Sequence, residues 1–206
     1  MNQSLVQAKG HSAKILWMQI SYFGNLGFVL KGNDASIALA LPADKIGDAE
    51  IVITATADEQ VKAAKGQNVF DWPGEYESRG VSVALIPVGK DKPSRIAKII
   101  VDEISVVHLD GVTEPLSEKE EEKVGNVDVL LISVGKNAAL DAKQIKNTIE
   151  ALEPKIVIPM NFAAGEELEF AKSLGFADLE PENELKIKAA SLPVERLELK
   201  ILRPRK

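Results

Sequence analysis

An α/β fold of packed sheets covered by helices is what the sequence predicts, and three observations carry that expectation. Short strand-like runs separated by turn residues fill the first half, strand and helix patterns alternate in the second, and fully apolar runs recur in both.

Residues 15–23 and 28–30 read as strands around a glycine turn, Lys31-Gly32-Asn33-Asp34 as a hairpin tip, and residues 36–39 as the returning strand. Ile51-Val52-Ile53-Thr54 is a run typical of a strand buried on both faces, and residues 81–87 and 104–109 add two more. Trp17, Met18 and Tyr22 are expected in the core. Asp71-Trp72-Pro73-Gly74 reads as a β-turn leading into the next strand; its Trp72, with Tyr76 close by, is also the kind of aromatic that anchors a ligand or partner. Ser117-x-x-Glu120 is a capping box opening a short helix whose charged run to Lys123 is a solvated face. A buried strand follows at 127–132. Asp141 starts a helix with Ile145, Ile149 and Leu152 on one face, and Pro154 ends it. Residues 156–158 form the next strand, and residues 166–174 a helix closed by Gly175. With no repeat or linker, the expectation is one domain over residues 1–206, residues 1–14 being an N-terminal extension.

The chain carries 206 residues, a formal net charge of -6, two His and no Cys. An acidic balance argues against a nucleic-acid binder held by phosphate contacts, whose footprint is a basic face. Without Cys, disulfides and thiolate metal sites are excluded. No apolar run reaches the roughly 18 to 20 residues of a membrane span, so a cytoplasmic protein with no membrane or nucleic-acid partner is expected.

Several stretches together carry a family resemblance. They are Gly24-Asn25-Leu26-Gly27-Phe28, Asp71-Trp72-Pro73-Gly74-Glu75-Tyr76-Glu77, Val107-His108-Leu109-Asp110-Gly111, Val127 to Gly135, Leu140-Asp141-Ala142, Pro154 to Phe162 and Asn183 to Lys188. In order and spacing they resemble the small metallo-β-lactamase-fold hydrolases of the ascorbate-phosphate lactonase (UlaG-like) group, from about residue 18 to 202. That resemblance implies a four-layer αββα sandwich. It also implies a two-metal site of Zn or Mn at one edge, hydrolysing an ester, lactone or phosphodiester through a metal-bound hydroxide.

Such a site needs His nitrogens and carboxylate oxygens converging on the cations. Where the family carries Thr-His-x-His-x-Asp-His, this chain has Thr54-Ala55-Thr56-Ala57-Asp58-Glu59-Gln60. Ala55 and Ala57 stand at the two leading His positions, Glu59 at the Asp, and Gln60 at the last His. The next His position holds Lys90, the bridging carboxylate falls on Gly111 beside Asp110, the final His is Asn161, and the family's Asp before Pro42 is Leu41. The resemblance therefore implies a degenerate site of Ala55, Ala57, Glu59, Gln60, Lys90, Asp110, Gly111 and Asn161, holding no metal and no cofactor. If Lys90 reaches Glu59 or Asp110, its ammonium supplies the positive charge that a metal would otherwise provide.

His108 closes a strand, where packing or a hydrogen bond near the site floor is its expected role, with ligand contact by His108 and Lys90 as the sharper alternative. His11 is expected at the surface. Ser133-Val134-Gly135-Lys136 lacks the Walker A glycine and ending and reads as a turn. Three function classes stay open. They are a metal-free binding or scaffold protein, as a homo-oligomer or a heteromer with an active relative; a hydrolase with an atypical metal site; and a binder of a small anion drawn by Lys90 and Arg95.

Overall fold

In the computed structural model, which describes residues 17–54, 62, 64–89 and 94–205, the strand patterns resolve into two mixed sheets. The chain opens with β1 (Met18–Tyr22), β2 (Phe28–Lys31), β3 (Ser36–Leu39), β4 (Ile51–Ile53) and β5 (Asn68–Phe70). It then crosses to β6 (Gly74–Ser78), β7 (Val81–Val88), β8 (Ser94–Val101) and β9 (Ile104–Leu109). Next come α1 (Glu118–Val124), β10 (Val129–Ser133), α2 (Ala142–Leu152), β11 (Ile156–Met160), α3 (Glu166–Ser173), β12 (Leu185–Ile187) and β13 (Glu198–Leu199). One sheet runs β12-β1-β2-β3-β4-β5, the other β13-β11-β10-β9-β8-β7-β6.

Three apolar clusters define the layers. Between the sheets, Met18, Ile20, Phe28, Leu30, Ile99 and Leu131 interdigitate. On the outer face of the seven-stranded sheet, Ile96, Val107, Leu130 and Ile132 meet Val124 of α1, Ile145, Ile149 and Leu152 of α2, and Phe170 of α3. The outer face of the six-stranded sheet is covered more thinly: Ala38 and Val52 pack under Leu41, Ile46 and Ala49 beside the 3-10 turn Ala43–Lys45. This is an α/β sandwich whose fourth layer, among the described residues, is a turn rather than a helix.

The local signals are realised in the helices. The Glu120 carboxylate accepts from the Ser117 N–H at 2.8 Å and from the Ser117 hydroxyl at 2.6 Å. Asp141 Oδ1 accepts from the Gln144 N–H at 2.8 Å, satisfying a donor at the start of α2. At the far end, Glu153 takes φ 43° before Pro154, so the left-handed residue and the proline stop the helix together.

Trp17 is a correction to the expected core. Met18 and Tyr22 are buried, but Trp17 is 48% exposed, and the Lys188 ammonium lies 5.3 Å from its ring centroid. The first strand is also shorter than residues 15–23 would make it within the described range, starting at Met18. The strands that the sequence pattern did not mark are β5, β8, β12 and β13, of which β8 is the longest; its Arg95 and Lys98 interrupt the apolar signal that marks a buried strand.

Candidate functional site

The sheet topology brings several strand ends to one edge. β10 runs parallel to both β9 and β11, so all three finish on the same side, and β8, antiparallel to β9, begins there. Ala97 lies opposite His108, and Leu109 beside Ile132. Carried one or two residues further, those registers set Arg95, Asp110 and Ser133 side by side across three strands. Thr54 follows β4 and Asp71 follows β5, which places the six-stranded sheet's contribution at the same mouth.

Arg95 joins the two sheets. It is buried, and its guanidinium donates to the Asp71 carbonyl, the Thr54 carbonyl and the Thr54 hydroxyl. Three short charge-assisted bonds on a planar fork fix the cation in place. A surface cation that attracts anions, the role expected of Arg95, does not match that geometry: its guanidinium faces protein carbonyls.

His108 lies beneath. It is 4% exposed, its ring is edge-on to Phe28, and Nε2 is 2.9 Å from the Leu26 carbonyl oxygen. A carbonyl only accepts, so Nε2 carries the proton. Burial pushes the His108 pKa below the ordinary histidine value, against the Asp110 carboxylate and the Leu26 carbonyl, which favour the cation. Asp110 is raised by burial, opposed by His108, the Gly111 N–H and Arg95.

Asn161 sits just past β11 with φ 59°, a left-handed conformation that Asn tolerates better than most side chains. Its N–H lies 2.8 Å from the Asn25 carbonyl and 3.1 Å from the Tyr22 hydroxyl, which itself donates to Asn25 O at 3.0 Å. Its amide Nδ2 donates to Asn137 O at 3.3 Å. Gly111 adopts φ 67° and its carbonyl accepts from the Ser94 hydroxyl. Gly135 opens a 3-10 turn to Asn137, as the sequence leads one to expect of this segment.

The structure thus gathers Asp110, Gly111 and Asn161 at one edge, with His108 below them. Ala55, Ala57, Glu59, Gln60, Lys90 and His11 lie outside the described residues. Sequence reasoning missed Ser133 and the part played by Arg95. The signals were there: a hydroxyl ending an all-apolar strand, and an arginine inside one. Ser133 Oγ is buried and has no hydrogen-bond partner among the described residues.

The donors among the described residues do not by themselves make a two-metal centre. Among the described residues no group of three or more His, Cys, Asp or Glu side chains could hold a metal ion. Of the groups gathered here, Asp110 alone is anionic, Asn161 offers an amide, and Arg95 is itself a buried cation.

Residues 19–161 match the model of the Beta-lactamase superfamily domain. The chain belongs to the metallo-β-lactamase superfamily. Its fold is shared with a Thermotoga maritima protein designated a zinc-dependent hydrolase of this superfamily: 24% identity, 90% of this chain and 98% of that one covered, TM-score 0.75. Igni18, a metallo hydrolase from Ignicoccus hospitalis, aligns at 17% identity over 84% of this chain and 99% of its own, TM-score 0.60. A Parabacteroides distasonis protein designated a metal-dependent hydrolase aligns at 13% identity, covering 90% and 94%, TM-score 0.63. No curated protein matches the sequence. No helix among the described residues is long and apolar enough to cross a membrane.

Proposed function

We propose that this chain is a degenerate superfamily member of the ascorbate-phosphate lactonase (UlaG-like) group, a cytoplasmic, metal-free binding or scaffold protein rather than a hydrolase. The observation that carries the reading is Arg95. In a metal-holding member the cations tie the loop after β4 to the other strand ends. Here a guanidinium does the tying, bonded to Thr54 at the start of the motif and to Asp71 across it. A fixed positive charge at that point opposes a second cation, and Ala55 and Ala57 offer no lone pair to attract one. Positive charge at the mouth is the role the sequence assigns to Lys90; Arg95 fills it from a buried strand.

Metal content after incubation with zinc, manganese and magnesium tests the reading, by inductively coupled plasma mass spectrometry on tag-free protein. Well under one metal per chain is the expected result. One or two tightly held ions per chain would overturn it and restore a metal-dependent hydrolase of an ester, lactone or phosphodiester. With metal absent, the partner of the scaffold is sought as a second copy of this chain or an active relative.

A further inference from the structure

Behind the strand ends lies a cavity of about 90 Å³, whose walls include Asp110, Ser133, Asn137 and Asn161, with Val112 and Leu140 as apolar wall. At ~10–15 Å³ for one water, that is room for roughly six to nine water-sized positions. The polar lining is rich in acceptors: the Asp110 carboxylate, the Asn161 amide oxygen, whose neighbouring nitrogen gives one of its two N–H groups to Asn137 O, and the lone pairs of Ser133. The Ser133 hydroxyl adds a donor, buried and unpartnered among the described residues.

Charge narrows the class of occupant. Asp110 falls opposite Arg95 when the β8–β9 register is carried two residues on, and the Arg95 guanidinium is near enough to favour the Asp110 carboxylate. An anion entering this space would shed its water against the Asp110 carboxylate, and an ammonium would compete with Arg95 for that carboxylate, which disfavours both. A neutral molecule offering several O–H donors meets the acceptors, and its carbon face lies against Val112 and Leu140. We infer that the cavity binds a small neutral polyhydroxyl group, of triol or tetrol size or the polyol end of a larger molecule. This rests on the metal-free reading, because metal ions at the mouth would change the charge the ligand meets.

Titration of the full-length 15N-labelled chain with erythritol, followed by amide chemical shifts, tests it on protein whose metal content has been measured. The expected result is saturable shifts at Gly111, Ser133 and residues 137–140. Ser133→Ala should weaken that binding about tenfold, the loss of one well-made buried hydrogen bond, with an unchanged melting temperature. Asp110→Asn, which keeps an acceptor, should weaken it less. Non-saturating shifts, saturable binding that both variants leave unchanged, or the same shifts produced by phosphate at matched ionic strength would overturn the inference. Polyol binding lost on metal-free protein sinks this inference alone; stoichiometric metal sinks the functional reading instead.

Discussion

The two ends of the β9–β11 strands both bury polar groups, and they treat them oppositely. Where the strands begin, Asp128 is saturated: Oδ1 is 2.8 Å from Lys155 Nζ and Oδ2 accepts from the Ser105 N–H at 2.8 Å. The Ser105 hydroxyl there donates to Asn126 O at 2.9 Å. Where the strands finish, the Ser133 hydroxyl has no partner among the described residues, Asn161 sits in a left-handed conformation, and His108 and Asp110 are both shifted against their charged forms. One end closes its polar groups on one another; the other, among the described residues, holds a buried hydroxyl that destabilises the fold unless something else uses it.

The largest way to break that contrast is Arg95→Met. The substitution removes the three guanidinium bonds to Thr54 and Asp71 and the positive charge that favours the Asp110 carboxylate, so a loss of about 3 kcal/mol is expected in urea unfolding. Arg95→Lys should recover only part, because a single ammonium does not reproduce the fork. A melting curve like that of the parent for Arg95→Met would show that the mouth is not tied by this residue.

Asp128→Ala attacks the closed end. It strips the Ser105 N–H of its acceptor and Lys155 of its partner, and since Lys155 is partly exposed the expected loss is smaller, about 2 kcal/mol. Metal content and erythritol binding should stay as they are. A variant that loses ligand binding without losing stability would erase the distinction between the two ends.

The smallest effect is a slope. Burial holds the folded His108 below the ordinary value of about 6.5, so on acidification the unfolded chain takes up a proton that the folded chain refuses. Stability from this group is whole above about pH 6.5 and is lost as pH falls beneath it, by at most about 1.4 kcal/mol per pH unit. Asp110 acts in the opposite sense: burial raises its carboxyl above the ordinary 3.8, so the folded chain is protonated first and gains stability as pH falls towards 3.8. His108→Gln keeps a donor for the Leu26 carbonyl and should flatten the acid limb between about pH 6.5 and 5, read from urea midpoints. An equally steep limb in the variant would place the titrating group elsewhere.

Much of the fold was legible because its signals are local. The capping boxes at Ser117 and Asp141, the Lys31–Asp34 hairpin tip and the apolar runs at Ile51 and Ile104 each depend on neighbours in sequence. β8 was hidden because Arg95 points its charge into the inter-sheet space, which propensity reads as an interruption; the carbonyls that satisfy it come from Thr54 and Asp71, far away along the chain. The site divides in the same way. The substituted positions Asp110, Gly111 and Asn161 are readable against a motif, whereas the unpartnered state of Ser133 exists only once β9 and β10 are in register. Trp17 failed for a related reason: an aromatic at a strand's edge is core only if a layer covers it, and here a single lysine lies against a half-exposed ring.

The pairing of β1 with β12 carries a consequence for synthesis. Met18 lies opposite Ile187 and Ile20 opposite Leu185, and the Arg205 N–H donates to the Tyr22 carbonyl at 2.8 Å. β1 therefore waits for a strand that lies far later in the chain. Until residues 185–187 emerge, β1 presents an apolar strand with an unpaired edge, the form of nascent chain most open to pairing with a neighbour on the same message.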